Sequence, residues 1–203
     1  MKTAVYGGTF NPPHRGHESV ARLLNGTVRP DRILIIPAAI PPLKSVAANS
    51  PSAGERMKLC HLAFDNIPGC EVSDIEIARE GTSYTVDTLE ELRRLMPDDE
   101  LFLVVGSDQL LAFRKWRRYE DILRLATLVV FSREEGDHEM LEAAAEDLRR
   151  DCGADVTVID NRPLVISSDE VRRAVRGELP EEIAKTYLNP AVLEFVRRGG
   201  FYR

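Results

Sequence analysis

The chain has 203 residues, 43% of them apolar and 30% charged, and its 13 glycines and 12 prolines match ordinary globular usage. That length suits one domain and excludes a large modular protein, a fibrous repeat and a disordered chain. Acidic residues outnumber basic ones 33 to 27, a formal net charge of −6, which is the wrong sign for a general nucleic-acid or anionic-membrane binder.

Of the 27 basic residues, 22 are Arg and five Lys, so an anion site here draws mainly on planar, forked donors. Cys60, Cys70 and Cys152 are odd in number and lack a CxxC spacing, and are expected to be reduced. Met1 and Lys2 lead straight into Thr3–Tyr6 without an apolar leader, and no apolar run approaches the ~20 residues that span a bilayer. A soluble, cytoplasmic protein is expected.

A first strand is predicted over Ala4–Tyr6 and a second over Ile33–Ile36. The proline-rich stretch Pro37–Pro51 is a long loop of the kind that often carries function. Ser52 and Glu55 make a capping box ahead of a helix whose Met57, Cys60 and Phe64 share a face. Val72–Ile77 reads as a mixed, more exposed strand, and Thr85 as the cap of a helix bearing Val86, Leu89, Leu92 and Met96. Strands follow at Leu101–Val105 and Leu128–Phe131, then a helix over Asp137–Arg150 stopped at Gly153, then a strand at Val156–Ile159. Ser167 and Glu170 form a second capping box, before Val171 and Val175, with Gly177 as the stop. Glu181–Leu188 and Ala191–Arg198 close the chain before Gly199 and Gly200.

Leaving aside the mixed run at 72–77, the first four strands lack polar alternation, the pattern of strands covered on both faces of a parallel sheet. The alternation of elements predicts an α/β fold: one doubly wound, Rossmann-like parallel-sheet domain over residues 1–203, with a C-terminal helical part from about 167 packed on it.

The strongest local feature is Gly7-Gly8-Thr9-Phe10-Asn11-Pro12-Pro13-His14-Arg15-Gly16-His17, after the first strand and before the first helix. In an open parallel sheet, ligands bind at such a place. Glycines let a phosphate approach the backbone, the helix start supplies N–H groups, and two imidazoles three residues apart can donate to phosphate oxygens. The segment is neither GxGxxG nor a P-loop. His14 and His17 have no further ligands at metal spacing, so no protein metal site is predicted. Trp116, the only Trp, lies between Lys115 and Arg117. A flat ring there suits stacking on a cationic pyridine ring, or a seam between helices. Ser167 and Ser168 open a helix, where hydroxyls and N–H groups serve a cap or a phosphate equally.

The 7–17 segment resembles the GGTF(D/N)PxHxGH signature of bacterial nicotinate mononucleotide adenylyltransferases, in the nucleotidyltransferase superfamily marked by (H/T)xGH. Pro37–Lys44 resembles that family's loop ending in PPHK, and Arg79–Thr88 its REGxSYTxDT. Gly106-Ser107-Asp108 resembles its GxD, Lys115-Trp116 its KW, and Ile166–Arg172 its ISSTxIR. These blocks run in the family's order from residue 3 to 203. Three positions depart: Leu43 stands for a usual His, Asp169 for a common Thr and Ala38 for a frequent Asn.

The resemblance implies transfer of AMP from ATP to nicotinate mononucleotide, giving nicotinate adenine dinucleotide and pyrophosphate, with Mg²⁺ bound on the ATP phosphates. It implies catalytic roles for His14, His17, Lys44 and Arg172. ATP would be bound by Gly7, Gly8, Thr9, Phe10, Gly16, Gly106, Asp108, Arg133, Ser167 and Ser168, and the mononucleotide by Tyr84, Thr85 and Trp116. The expected partners are these two substrates, with no nucleic acid and no membrane; a homo-oligomer is compatible with the sequence. The alternatives are nicotinamide mononucleotide or another phosphate acceptor in the same superfamily, and a non-catalytic nucleotide-binding protein.

Overall fold

The computed structural model describes residues 1–42, 49–79, 81–162 and 164–203. Lys44 and the departure at Leu43 lie outside the described residues. Six strands, β1 (Lys2–Gly8), β2 (Arg32–Pro37), β3 (Cys70–Val72), β4 (Glu100–Gly106), β5 (Thr127–Phe131) and β6 (Val156–Ile159), form one sheet in the order β3-β2-β1-β4-β5-β6, with every pairing parallel. Winding reverses between β1 and β4, and the register that sets Val5 beside Leu103 brings the ends of both strands, Gly8 and Gly106, out at one edge. Such a switch point is where open α/β sheets bind ligands.

Alternate side chains of the four central strands enter two cores. Ala4, Ile33, Ile35, Val104 and Phe131 face one, Val5, Leu34, Ile36, Leu103 and Val130 the other. Both faces are covered, which is why these strands read as unbroken apolar runs.

The covering helices are α1 (Arg15–Thr27), α2 (Ala53–Phe64), α3 (Ile75–Arg79), α4 (Thr85–Leu95), α5 (Ser107–Leu111), α6 (Tyr119–Leu125), α7 (His138–Cys152), α8 (Ser168–Val175), α9 (Glu181–Tyr187) and α10 (Pro190–Arg198). Both predicted capping boxes form: Ser52 accepts the Glu55 N–H, and Ser167 that of Glu170. Val171, Ala184 and Val196 of the last three helices, with Leu188 just after α9, join the core that holds Ala4 of β1.

Two local readings are corrected. Val72–Ile77 is no single strand: β3 ends at Val72 and Ile75–Ile77 belong to α3, whose five residues are too few to show a helical period. Thr85 does not cap α4; it is the first helical residue, and the extended residue before it is Tyr84, at φ −90° and ψ 130°. No helix among the described residues is long and apolar enough to cross a membrane, and the three cysteines are free.

Candidate active site

The loop between β1 and α1 is held tightly by its own side chains. Phe10 takes φ +46°, a left-handed conformation that costs a non-glycine residue about 1–3 kcal/mol and persists only where the surroundings enforce it. Its buried ring packs edge-on against Tyr6 and Phe64, both at 5.6 Å, and His17 at 5.1 Å. A methyl group at Gly8 would lie 3.1 Å from that ring, and one at Gly16 3.0 Å from Nδ1 of His14. These glycines therefore make room for Phe10 and His14. A methyl group at Gly7 meets nothing within 4 Å.

α1 begins at Arg15, so His17 lies in its first turn rather than ahead of it, and His14 is the extended residue at its start. The backbone N–H of His14 donates to Nδ1 of His17 at 3.1 Å. In neutral His17 the proton must then sit on Nε2, which fixes that atom as a donor. The two rings lie 3.8 Å apart at 37°. His14 is 3% exposed, and neither of its ring nitrogens has a partner among the described residues. Two such atoms on one buried ring are unusual.

Burial, and then the charge of Arg133, push the His14 imidazole down to about 3, so it is neutral at physiological pH. From pH 6.5 down to about 3 the unfolded chain binds a proton at His14 that the fold refuses. Stability tied to this group is intact above that window and falls within it as pH falls, by up to about 1.4 kcal/mol per pH unit. Glu18, whose carboxyl burial raises, opposes that trend. His14→Gln is expected to flatten the acid limb of the melting temperature against pH, whereas a slope equal to that of the unmodified protein would show that His14 titrates normally.

Across the loop, α8 docks through two contacts and carries an ion pair of its own. Arg172 donates to the Asn11 carbonyl at 2.8 Å and to the Asp169 carboxylate at 2.9 Å, and the Ser168 hydroxyl donates to the Pro12 carbonyl at 3.1 Å. Asp169, the extra anion beside expected phosphates, is thus paired with a site cation. Ser167 is engaged in its capping box with Glu170.

On the β4 side, the Gly106 N–H donates to Gln109 at 2.8 Å, so Gln109 rather than Asp108 reaches back to the start of α5. Asp108 pairs with Arg133 at 3.1 Å, and the Arg133 N–H is held by the Ser107 hydroxyl at 3.0 Å. A methyl group at Gly106 would lie 2.6 Å from the Arg133 Cδ, so a side chain there would make Arg133 shift.

The strand ends thus gather a histidine pair, two arginines and a carboxylate around a switch point, a set suited to phosphate chemistry. Residues 5–174 match the cytidylyltransferase-like family model. A relative from Gemmatimonas aurantiaca named "Probable nicotinate-nucleotide adenylyltransferase" is 37% identical over 194 residues, covering 93% of this chain and 90% of its own. The chain belongs to the cytidylyltransferase-like family, and within it to the nicotinate-nucleotide adenylyltransferases. A relative of the same name from Solibacter usitatus is 37% identical over 208 residues and covers the whole of both chains. The solved "Plasmodium falciparum nicotinic acid mononucleotide adenylyltransferase complexed with NaAD" superposes with a TM-score of 0.81 at 18% identity, covering 100% of this chain and 98% of that one, which shows a common fold.

In this adenylyltransferase the residues expected at the mononucleotide end lie beside α4. Trp116 is half-buried against Phe113, with ring centres 5.1 Å apart and planes tilted by 33°. Its neighbour Arg117 places its guanidinium 4.6 Å over the Tyr84 ring and 3.8 Å from Asp87, next to Thr85 at the start of α4. Trp116 packs on Phe113, as the reading of a seam expects, and part of its ring stays at the surface.

Other site-supporting residues carry no local signal. Tyr202 donates to Asn11 Oδ1 at 2.7 Å, and Asn11 donates to Ser50 at 3.2 Å, tying the far end of the chain to the loop. Arg56, in an amphipathic helix where an Arg reads as surface, is 2% exposed and bonds the carbonyls of Thr9, Ala38 and Ala39. In the REGxSYTxDT-like block, Arg79 and Thr88 serve architecture: Thr88 donates to Glu76 at 2.7 Å, and Arg79 donates to Thr88 at 3.0 Å and Glu91 at 3.1 Å.

Proposed function

We propose that the chain transfers the adenylyl group of ATP to the 5′-phosphate of nicotinate mononucleotide by direct in-line attack. The new bond joins the attacking phosphate oxygen to the α-phosphorus, the bond from that phosphorus to the α,β-bridging oxygen breaks, and pyrophosphate leaves. The attacking monoester has a second pKa of about 6 and is already largely ionised near neutrality, so no general base is needed. What the protein must supply is alignment, and positive or donor groups where charge develops.

The observation that carries this reading is the histidine pair at the switch point, with the His17 proton fixed on Nε2 by the His14 N–H. In the proposal, His17 and His14 donate to the α-phosphate and pyrophosphate oxygens as neutral imidazoles. Arg172 neutralises charge from α8, and Lys44 would add a further cation. Gly7 to Phe10 and Gly16 form the phosphate loop. Gly106 and Asp108 take the adenosine side, with Arg133 crossing above them, and Ser167 and Ser168 fix the start of α8. Tyr84, Thr85 and Trp116 receive the nicotinate, the Trp ring by stacking and the N–H groups at the start of α4 by donating to its carboxylate.

Among the described residues no three His, Cys, Asp or Glu side chains are grouped to hold a metal. The donors around the cleft are mainly cationic or neutral, which fits a Mg²⁺ that arrives on the ATP phosphates and keeps several waters. Such an ion supplies charge neutralisation on the phosphates. In this proposal the enzyme acts in the cytoplasm on these two partners, without nucleic acid or membrane, a reading that the soluble, anionic substrates and the net charge of −6 support.

The reading is tested by pyrophosphate release with Mg²⁺, ATP and either nicotinate or nicotinamide mononucleotide. The acid is expected to react far faster, because an amide presents its own N–H donors to the donors at the start of α4. Equal rates would remove the acid specificity, and turnover with neither would favour a nucleotide-binding protein.

A further inference from the structure

We propose that Arg56 is a positioning residue for adenylyl transfer, one that locks the ATP loop and the mononucleotide-side loop into a single frame; this rests on the function proposed above. One terminal guanidinium nitrogen donates to the Thr9 carbonyl at 2.8 Å, in the loop that carries His14. The other donates to the carbonyls of Ala38 at 2.5 Å and Ala39 at 3.0 Å, in the loop that follows β2. The second loop is fixed from its other side by Ser83, whose hydroxyl accepts the Ala39 N–H at 2.8 Å and whose N–H donates to the Ile40 carbonyl at 2.9 Å. Ile40 in turn bridges to Thr82. Tyr84 and Thr85 come next in the chain. A single buried side chain thus joins the loop assigned to ATP to the segment that leads into the pyridine site.

The geometry also sets a direction. A trans peptide is planar, so the N–H of Phe10 points opposite to the carbonyl of Thr9. With that carbonyl drawn inward to Arg56, the Phe10 N–H is turned outward at the carboxyl end of β1, where a phosphate oxygen can accept it. Phe10 sits at φ +46°, and the same bond helps to hold that strained turn.

Stability alone is a poor account of this residue. Burial lowers the Arg56 pKa from its ordinary value and its Nε has no partner among the described residues, so the guanidinium is buried at a cost. What a guanidinium offers is a fork reaching two loops at once. Lysine, a single point charge, cannot span both.

The test is steady-state kinetics of the full chain with ATP and nicotinate mononucleotide. It compares the unmodified protein, Arg56→Lys, Ser83→Ala and the double variant, each well below its melting temperature and normalised to folded protein. Arg56→Lys is expected to lower kcat on the order of 100-fold, since misplacement by about 1 Å costs that much. KM for each substrate should change by less than about 3-fold, because the loss falls on the transition state. Ser83→Ala should cost less, and its effect should shrink when Arg56 is already Lys, because both act on the same loop. An unchanged kcat in Arg56→Lys, a loss confined to KM, or strictly multiplicative effects in the double variant would each overturn the role. Absence of turnover in the unmodified protein would instead overturn the functional reading, and this role with it.

Discussion

His17→Ala is expected to lower kcat by about 10²–10³-fold, on the order of 3–4 kcal/mol of transition-state stabilisation, while ATP still binds. The expectation follows from the tautomer. The His14 N–H donates to Nδ1, so the ring presents its proton on Nε2 and would need no rearrangement as charge grows on the phosphates. Alanine removes that donor and also leaves the His14 N–H without its acceptor. Loss of such a contact at a helix start costs about 0.5–2 kcal/mol of stability, so the melting temperature should fall modestly. Glutamine can place an amide N–H near the position of Nε2, so His17→Gln should retain more activity than alanine. Titration of ATP alone against each variant separates binding from turnover, and normal kcat in His17→Ala would remove this residue from the mechanism.

Arg172→Gln should lower kcat/KM for ATP by about 10²-fold or more, because it removes a half-buried cation from a site where charge develops on the pyrophosphate. Its contact with the Asn11 carbonyl, at 2.8 Å, can be partly kept by the glutamine amide, so the fold should survive. The ion pair with Asp169 makes the prediction more specific. In the proposed role that carboxylate would compete with phosphate for the guanidinium it pairs with, so Asp169→Asn should move ATP affinity the other way. Kinetics at varied ATP, with melting curves for each variant, check both signs. An Arg172→Gln enzyme with normal kcat/KM would show that Arg172 only fastens α8 to the loop.

The residues legible in the sequence are those whose signal is local. Unbroken apolar runs marked the strands of a sheet covered on both faces, and Ser52 and Ser167 marked helix starts by their spacing to Glu55 and Glu170. The motif from Gly7 to His17 read as a candidate phosphate loop because glycines, a helix start and imidazoles stand together. It did not disclose that Gly8 and Gly16 make room for Phe10 and His14, since those contacts depend on a φ value and a ring orientation.

Long-range partners left no trace either. Tyr202 and Asn11 are 191 residues apart, and Arg56 looks like a surface residue of its helix until the carbonyls of two distant loops fold over it. The α3 helix was hidden for a different reason: Ile75-Glu76-Ile77 alternates as a strand does, and five residues are too few to correct that impression.

The central claim, direct transfer of the adenylyl group between two bound nucleotides, is met most squarely by following an isotopic label on the α-phosphate of ATP. With Mg²⁺ and nicotinate mononucleotide present, the label is predicted to appear in the dinucleotide in step with pyrophosphate release, and never on the protein. Label retained covalently by the protein, or no labelled dinucleotide while ATP binds normally, would contradict it.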